Sequence, residues 1–189
     1  MKKIISIALT LCMVLGLCSF SVAAAPEGTA ISDAAGFAAM DPAGTYYLAN
    51  DITLDASYAQ AFAGTFDGNG KTVTVSAPMF AEIAGATIKN LNVAGAIDGA
   101  AADTAAVAVK ASGVLVFVSN VTITNAANAG AIFAIIDSAT SVTVTGCINN
   151  GAITATKYAA GIAAKLNCND ANGTNGASAI IKDCANYGA

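Results

Sequence analysis

Ile88-Lys-Asn-Leu-Asn-Val-Ala-Gly-Ala-Ile97, Ile123-Thr-Asn-Ala-Ala-Asn-Ala-Gly-Ala-Ile132, Val144-Thr-Gly-Cys-Ile-Asn-Asn-Gly-Ala-Ile153 and Ile181-Lys-Asp-Cys-Ala-Asn-Tyr-Gly-Ala189 are four versions of one phrase. Each opens on an apolar residue and carries Asn, Gly or Asp two places on. An apolar residue or Cys comes third, and Gly-Ala falls seven places on. The shared glycines, Gly95, Gly130, Gly151 and Gly188, are 35, 21 and 37 residues apart. Two long gaps and one short one suggest a unit of about 20 residues, sometimes taken twice, and periods of this size mark solenoids. Material for the missing units lies in the long gaps, as Val107, Val109 and 113–118 in one and 159–164 in the other.

Upstream, every segment is short, β-prone and closed by Gly, Asn or Asp. Gly44-Thr-Tyr-Tyr-Leu48, Asp51-Ile-Thr-Leu-Asp55 and Lys71-Thr-Val-Thr-Val-Ser76 read as strands. A loop precedes Phe62-Ala-Gly-Thr-Phe66, and Asp67-Gly-Asn-Gly70 is a turn, because Gly and Asn tolerate positive φ. Alternation points Val73, Val75, Val121 and Ile123 inward and Thr72, Thr74, Thr122 and Thr124 outward. Ala96, Ala131 and Ala152 suit a tight interior near corners. A chain so rich in Ala and Gly fills a narrow core rather than a thick one, which favours a stack of thin β repeats.

Before the repeats, Pro26 to Ala30 reads as a flexible lead-in. Ile31 to Met40 reads as about two helical turns capped by Ser32 or Asp33 and stopped by Pro42 and Gly44. The N-terminus carries an export signal: basic Lys2 and Lys3, an apolar run from Ile4 to Phe20, then the small residues Ser21 to Ala25. Val22 and Ala24 place cleavage after Ala24. The residue before Cys18 is Leu17, which does not suit a lipid-attachment site. Three parts follow: a signal peptide over 1–24, a lead-in and short helix over 25–44, and parallel β-helix repeats over 45–189. The chain ends inside a repeat, so further chain beyond Ala189 is expected.

The charged inventory narrows the chemistry. All 8 basic residues are lysines and there is no His. Cleavage leaves six lysines against twelve acids, with no basic patch for nucleic acid. No Walker lysine follows a Gly-rich loop. Cys147, Cys168 and Cys184 remain after cleavage, without CxxC or Cys/His spacing for zinc. Leu91, Ala126, Cys147 and Cys184 hold the same repeat position and are expected to share an inward ladder. With a unit intervening, Cys147 and Cys184 lie about 9–10 Å apart, too far for a disulfide, and are expected as buried thiols. Cys168 falls in a polar loop.

Asp51 and Asp55 lie on one side of a strand, but about 13 Å apart. Glycoside-hydrolysing carboxylates sit at about 5–9.5 Å. Asp67 reads as a turn residue, and Asp170 to Thr174 as an Asn/Gly loop lacking the closing Glu of a calcium site. Sugar rings stack on aromatic faces. The candidates are Tyr46, Tyr47, Tyr58, Tyr158 and Tyr187, with Tyr58 and Tyr158 expected on exposed loops. No catalytic, cofactor-binding or metal-binding residue is assigned.

Phe62-x-Gly-x-Phe66-Asp-Gly-Asn-Gly70-x-Thr72-Val73, Ile88-x-Asn-Leu91, the Cys/Asn/Gly-Ala-Ile repeats and Ala160-Gly-Ile-Ala163 resemble the GLUG-type repeat proteins of bacterial cell surfaces. Where the motif reads Gly-Leu-x-Gly, this chain reads Ala-Gly-Ile-Ala. The resemblance covers Thr45 to Ala189. It implies an all-β, right-handed parallel β-helix in an adhesin-like protein that is secreted or displayed on the cell surface. The expected role is structural or adhesive, with glycans, cell-wall polymers or a host surface as partners, and not membrane-spanning after cleavage. The rival is a fragment of a polysaccharide-active β-helix lyase or hydrolase. Two Asp at the same outward position on neighbouring repeats would favour it.

Overall fold

A computed structural model describes residues 25–100, 102–137, 142–167 and 179–188. The signal segment, Cys168 and the loop from Asp170 to Thr174 lie outside the described residues, as do the side chains of Val121 and Thr122. The elements are β1 (Thr29–Ile31), α1 (Ala34–Ala38), β2 (Thr45–Leu48), β3 (Ile52–Leu54), β4 (Tyr58–Phe62), β5 (Thr65–Asp67), β6 (Thr72–Val75), β7 (Phe80–Asp98), β8 (Thr104–Ala105) and β9 (Ala108–Gly130). They continue with β10 (Phe133–Asp137), β11 (Val142–Thr145), β12 (Ile148–Asn149), β13 (Ile153–Ala160), β14 (Ala163–Asn167), β15 (Ala179–Lys182) and β16 (Ala185–Asn186). The protein is mostly β. The sixteen strands described form one sheet, and each pairs in parallel with its neighbours.

Three ladders organise the sheet. One runs Thr29, Tyr46, Phe66, Ile88, Leu115, Val144, Ile181. A second runs Ile52, Val73, Val93, Ser119, Asn149, Asn186. The third runs Tyr58, Phe80, Ala108, Phe133, Ala163. Along the chain these positions come in the cyclic order first, second, third, repeated pass after pass. Parallel strands cannot be joined by a tight hairpin, and from Tyr46 on the chain visits the other two ladders between successive rungs of the first.

The first ladder advances by 17, 20, 22, 27, 29 and 37 residues per rung. The expectation of a unit of about 20, sometimes doubled, is therefore corrected. The passes lengthen along the chain, and the 37-residue step is one pass. The phrase at Ile88 is matched by those at Val144 and Ile181, with Leu115 between them. The phrase at Ile123 belongs elsewhere, because Ile123 pairs with Ile97 and Ile153. Ala and Gly are so frequent that a false alignment displaced by eight residues looked as good as the true one.

The Asn/Gly/Asp position of the phrase has a conformational cause. Asn90 (φ 51°), Gly146 (φ 64°) and Asp183 (φ 54°) all adopt the left-handed region, as does Asn69 (φ 50°) in the turn before β6. Asn, Asp and Gly tolerate that region better than other residues. Each lies between a strand of the first ladder and one of the second, so it turns the chain from one ladder to the next. Within β7 the register shifts at Gly85 (φ 81°) and at Asn90, so this 19-residue strand is three segments serving three ladders.

Inward positions are mostly apolar, with Thr104 and Asn149 the buried polar residues among those described. Val73 and Val75 are buried while Thr74 is exposed, and Ile123 is buried while Thr124 is exposed, as alternation requires. The interior changes along the sheet. Over 104–134 it is rich in alanine (Ala105, Ala106, Ala108, Ala111, Ala126, Ala129, Ala131 and Ala134), with Val107, Ile123, Ile132 and Phe133 as its larger buried side chains. Over 37–80 it is thick and aromatic: Phe37, Tyr58, Phe62, Phe66 and Phe80 are all buried and in ring contact. Ala131 is buried as expected, but Ala96 and Ala152 are exposed.

The N-terminal region departs from expectation. Thr29–Ile31 is a strand paired with Tyr46–Leu48, not a flexible lead-in. The helix is one short turn-and-a-half, with Asp33 as its cap: its carboxylate accepts from Gly36 N at 2.8 Å. Ile31 is held by the sheet and the helix closes at the Ala39 cap, so it falls short of the two turns expected. The helix brings Phe37 against Tyr58, Phe66 and Phe80. No helix among the described residues is long and apolar enough to cross a membrane.

Candidate functional site

Outward residues of β2, β5 and β7 form two rows on one face. Register aligns Thr45, Thr65 and Thr87 in one row and Tyr47, Asp67 and Lys89 in the other. The buried row containing Phe66 and Ile88 runs between them and fixes both. Successive rungs are about 4.8 Å apart, so the threonine hydroxyls repeat at that interval along the face. A polar groove of about 340 Å³ lies here, lined by Ala25, Pro26, Glu27, Thr45, Thr65, Asp67 and Lys89.

Asp67 is the best-held acid in the groove. Its Oδ1 accepts from Asn69 N at 2.8 Å and from Asn90 Nδ2 at 3.1 Å, and Lys89 Nζ lies 3.4 Å from Oδ2. The turn role expected of Asp67 is thus present, and it also ties one pass to the next. The half-exposed Lys89 presents a cation to the groove. Other acids are similarly engaged. Asp51 accepts from Thr72 N at 2.8 Å, Asp41 from Ala43 N at 2.8 Å, Asp98 from Ala100 N at 3.0 Å and Asp103 from Asn128 Nδ2 at 2.6 Å. Short loops with buried backbone need such acceptors.

Asp51 and Asp55 flank β3 and are not brought together; both are exposed. Asp51 lies by Thr72, from whose N it accepts, and among the described register pairs Asp67 stands between Tyr47 and Lys89, neither of them acidic. Among the described residues no three His, Cys, Asp or Glu side chains gather.

The tyrosines divide sharply. Tyr58, expected on an exposed loop, is 3% exposed in β4, and its hydroxyl donates to Met40 O at 2.8 Å. The loop reading failed because Ser57 to Gln60 carries no clear alternation. Tyr158 is 58% exposed as expected, but on strand β13, and Tyr187 is 74% exposed. Tyr47 is half-buried and lies in the Asp67–Lys89 row. Register places Tyr158 beside Asn128, away from that row.

Burial pushes the Tyr58 hydroxyl above its ordinary value, and the negative charges of Asp41 and of ionised Tyr46 add to this. The folded state therefore favours the neutral phenol. Stability from this group is full below the ordinary tyrosine value near 10 and is lost as pH rises through the raised one. In a phenol absorbance titration of the folded protein, one tyrosine should ionise after the others. Tyr58→Phe should remove that late step. An unchanged titration curve would contradict the buried donor role.

Comparison with protein-family models found no match to this chain. Comparisons with curated proteins and with solved structures found none either.

Proposed function

We propose that this chain is an exported, non-catalytic surface protein with a structural or adhesive role, resembling the GLUG-type repeat proteins, and that it binds polysaccharide along its outward Thr and Tyr–Asp–Lys rows. On this reading the passes wind as a right-handed parallel β-helix. The cyclic order of the three ladders supports that winding, and crossovers between parallel strands of one sheet are right-handed in about 98% of cases. The export signal supports a secreted or cell-surface location.

The observation that carries the binding role is the pair of aligned rows. A row of repeating hydroxyls runs beside a row that holds one tyrosine and one carboxylate–ammonium pair, on rungs fixed from below by a buried ladder. A polymer of sugars offers hydroxyls and apolar ring faces in a repeating line, which such rows complement. Asp67, the acid in the Tyr–Asp–Lys row, already serves a turn and an inter-pass hydrogen bond, which supports binding rather than hydrolysis.

Binding to cell-wall polymers and host glycans should be screened while release of reducing ends is measured in parallel. The expected result is saturable binding without turnover, weakened about tenfold or more by Tyr47→Ala combined with Lys89→Ala, a loss of about 1.4 kcal/mol or more. Turnover that survives purification and disappears when a single Asp is replaced would establish the hydrolase or lyase instead.

A further inference from the structure

The last two passes of the sheet are superposed residue for residue. Val144 pairs with Ile181, Thr145 with Lys182, Ile148 with Ala185 and Asn149 with Asn186. Cys147 and Cys184 fall between these pairs and are therefore direct neighbours on adjacent rungs, not two rungs apart as the repeat spacing suggested. The hydrogen bonds around them agree: Ala185 N donates to Cys147 O at 2.8 Å, and Asn149 Nδ2 donates to Asn186 Oδ1 at 2.7 Å.

The two side chains share an orientation. Cys147 Sγ lies 3.5 Å from Thr145 O, and Cys184 Sγ lies 3.2 Å from Lys182 O, each reaching back to the carbonyl two residues before it. Cys184 Sγ is also 3.8 Å from Val144 O, on the pass that holds Cys147. Cys147 is buried and Cys184 half-buried against the same core. Adjacent parallel strands lie about 4.8 Å apart, within the Cα separation of about 4.4–6.8 Å that disulfides span. The sulfurs come together by a change of side-chain rotamer and a small closing of the Cβ–Cβ gap toward the about 3.5–4.5 Å of a disulfide.

We propose that Cys147 and Cys184 form a disulfide that clips the pass holding β15 and β16 to the pass holding β11 and β12. The oxidant is a disulfide of an oxidising compartment, small-molecule or protein. The more accessible Cys184 loses its proton and attacks one sulfur of that disulfide, expelling a thiolate. Cys147 then loses its proton and attacks Cys184 Sγ, expelling the second thiolate. One S–S bond is made in the protein, one is broken in the oxidant, and the two protons end on the two released thiols.

Oxidation in the cell rests on the export proposed above, but the bridge can be tested apart from it. The folded, reduced chain lacking residues 1–24 is equilibrated with oxidised and reduced glutathione of fixed ratio, quenched with an alkylating agent and digested without reduction. The expected result is a peptide linking Cys147 to Cys184, with Cys168 alkylated. The same link should form in Cys168→Ser, and amide exchange in 179–186 should slow at least tenfold on oxidation. Three alkylated thiols after equilibration with the oxidant, or a link through Cys168, would overturn the proposal. Because the redox poise is set in vitro, either outcome counts against this pairing and not against export.

Discussion

Phe80→Ala is expected to lower the free energy of unfolding by about 3–5 kcal/mol, the range for removing a fully buried Phe. Phe80 is 0% exposed. Its ring lies 5.3 Å from both Phe37 and Phe62, 6.0 Å from Tyr58 and 6.1 Å from Phe66, centroid to centroid. These partners come from the helix and from strands on two ladders, so one truncation opens a void shared by all of them. The surrounding passes cannot collapse into it, because their backbones are fixed to each other at the inter-strand spacing. Urea titration followed by circular dichroism measures the loss. Tyr187→Ala, at a 74% exposed position, is the comparison and should change stability by no more than about 0.5 kcal/mol. Equal, small effects at both positions would mean that the aromatic cluster is not a core.

Gly95→Ala is the second large effect. Gly95 has φ 127°, a conformation that costs an L-residue about 1–3 kcal/mol. A Cβ there would also run into the carbonyl oxygen of Val75, its register partner on the preceding pass. Overpacking against a fixed backbone adds about 1–3 kcal/mol, so the total is about 2–6 kcal/mol. The same denaturant titration reads it. A loss below about 0.5 kcal/mol would show that the two passes do not approach so closely. The close approach recurs at another shared glycine of the repeat: a Cβ on Gly188 would run into the carbonyl oxygen of Gly151, three passes after Gly95.

Much of this fold was legible in the residues. The strands at Thr45–Leu48, Ile52–Leu54 and Thr72–Val75 follow directly from alternation, and the Asn69-Gly70 turn follows from its positive φ. The Ile88, Val144 and Ile181 phrases really are stacked equivalents. What escaped was register. Alanine fits inward positions such as Ala126 and outward ones such as Ala96, so a phrase ending in Gly-Ala does not report which side it faces. The aromatic core was missed because its five rings are spread over some forty residues and meet only through stacking. Tyr58 was misplaced for the same reason, since its burial depends on Phe37 and Phe80, distant in sequence.

The groove lay largely beyond sequence reasoning. Asp67 was visible as a turn residue, but its alignment between Tyr47 and Lys89 depends on steps of 20 and 22 residues that no spacing rule supplies. The cysteines show the same limit. Their shared repeat position was readable, yet whether one pass or two separated them could be decided only by the pairing of Ile148 with Ala185.

That pairing also gives the most direct test of the central claim, that successive passes of lengthening size stack in parallel register. In nuclear Overhauser spectra of isotope-labelled protein, amide and α protons of Val144 and Thr145 should show cross-strand contacts to Ile181 and Lys182, and those of Val73 to Val93, in the Hα-to-amide pattern of parallel strands. Strong Hα-to-Hα contacts, or contacts from Val144 to a strand lying between residues 153 and 167, would contradict it.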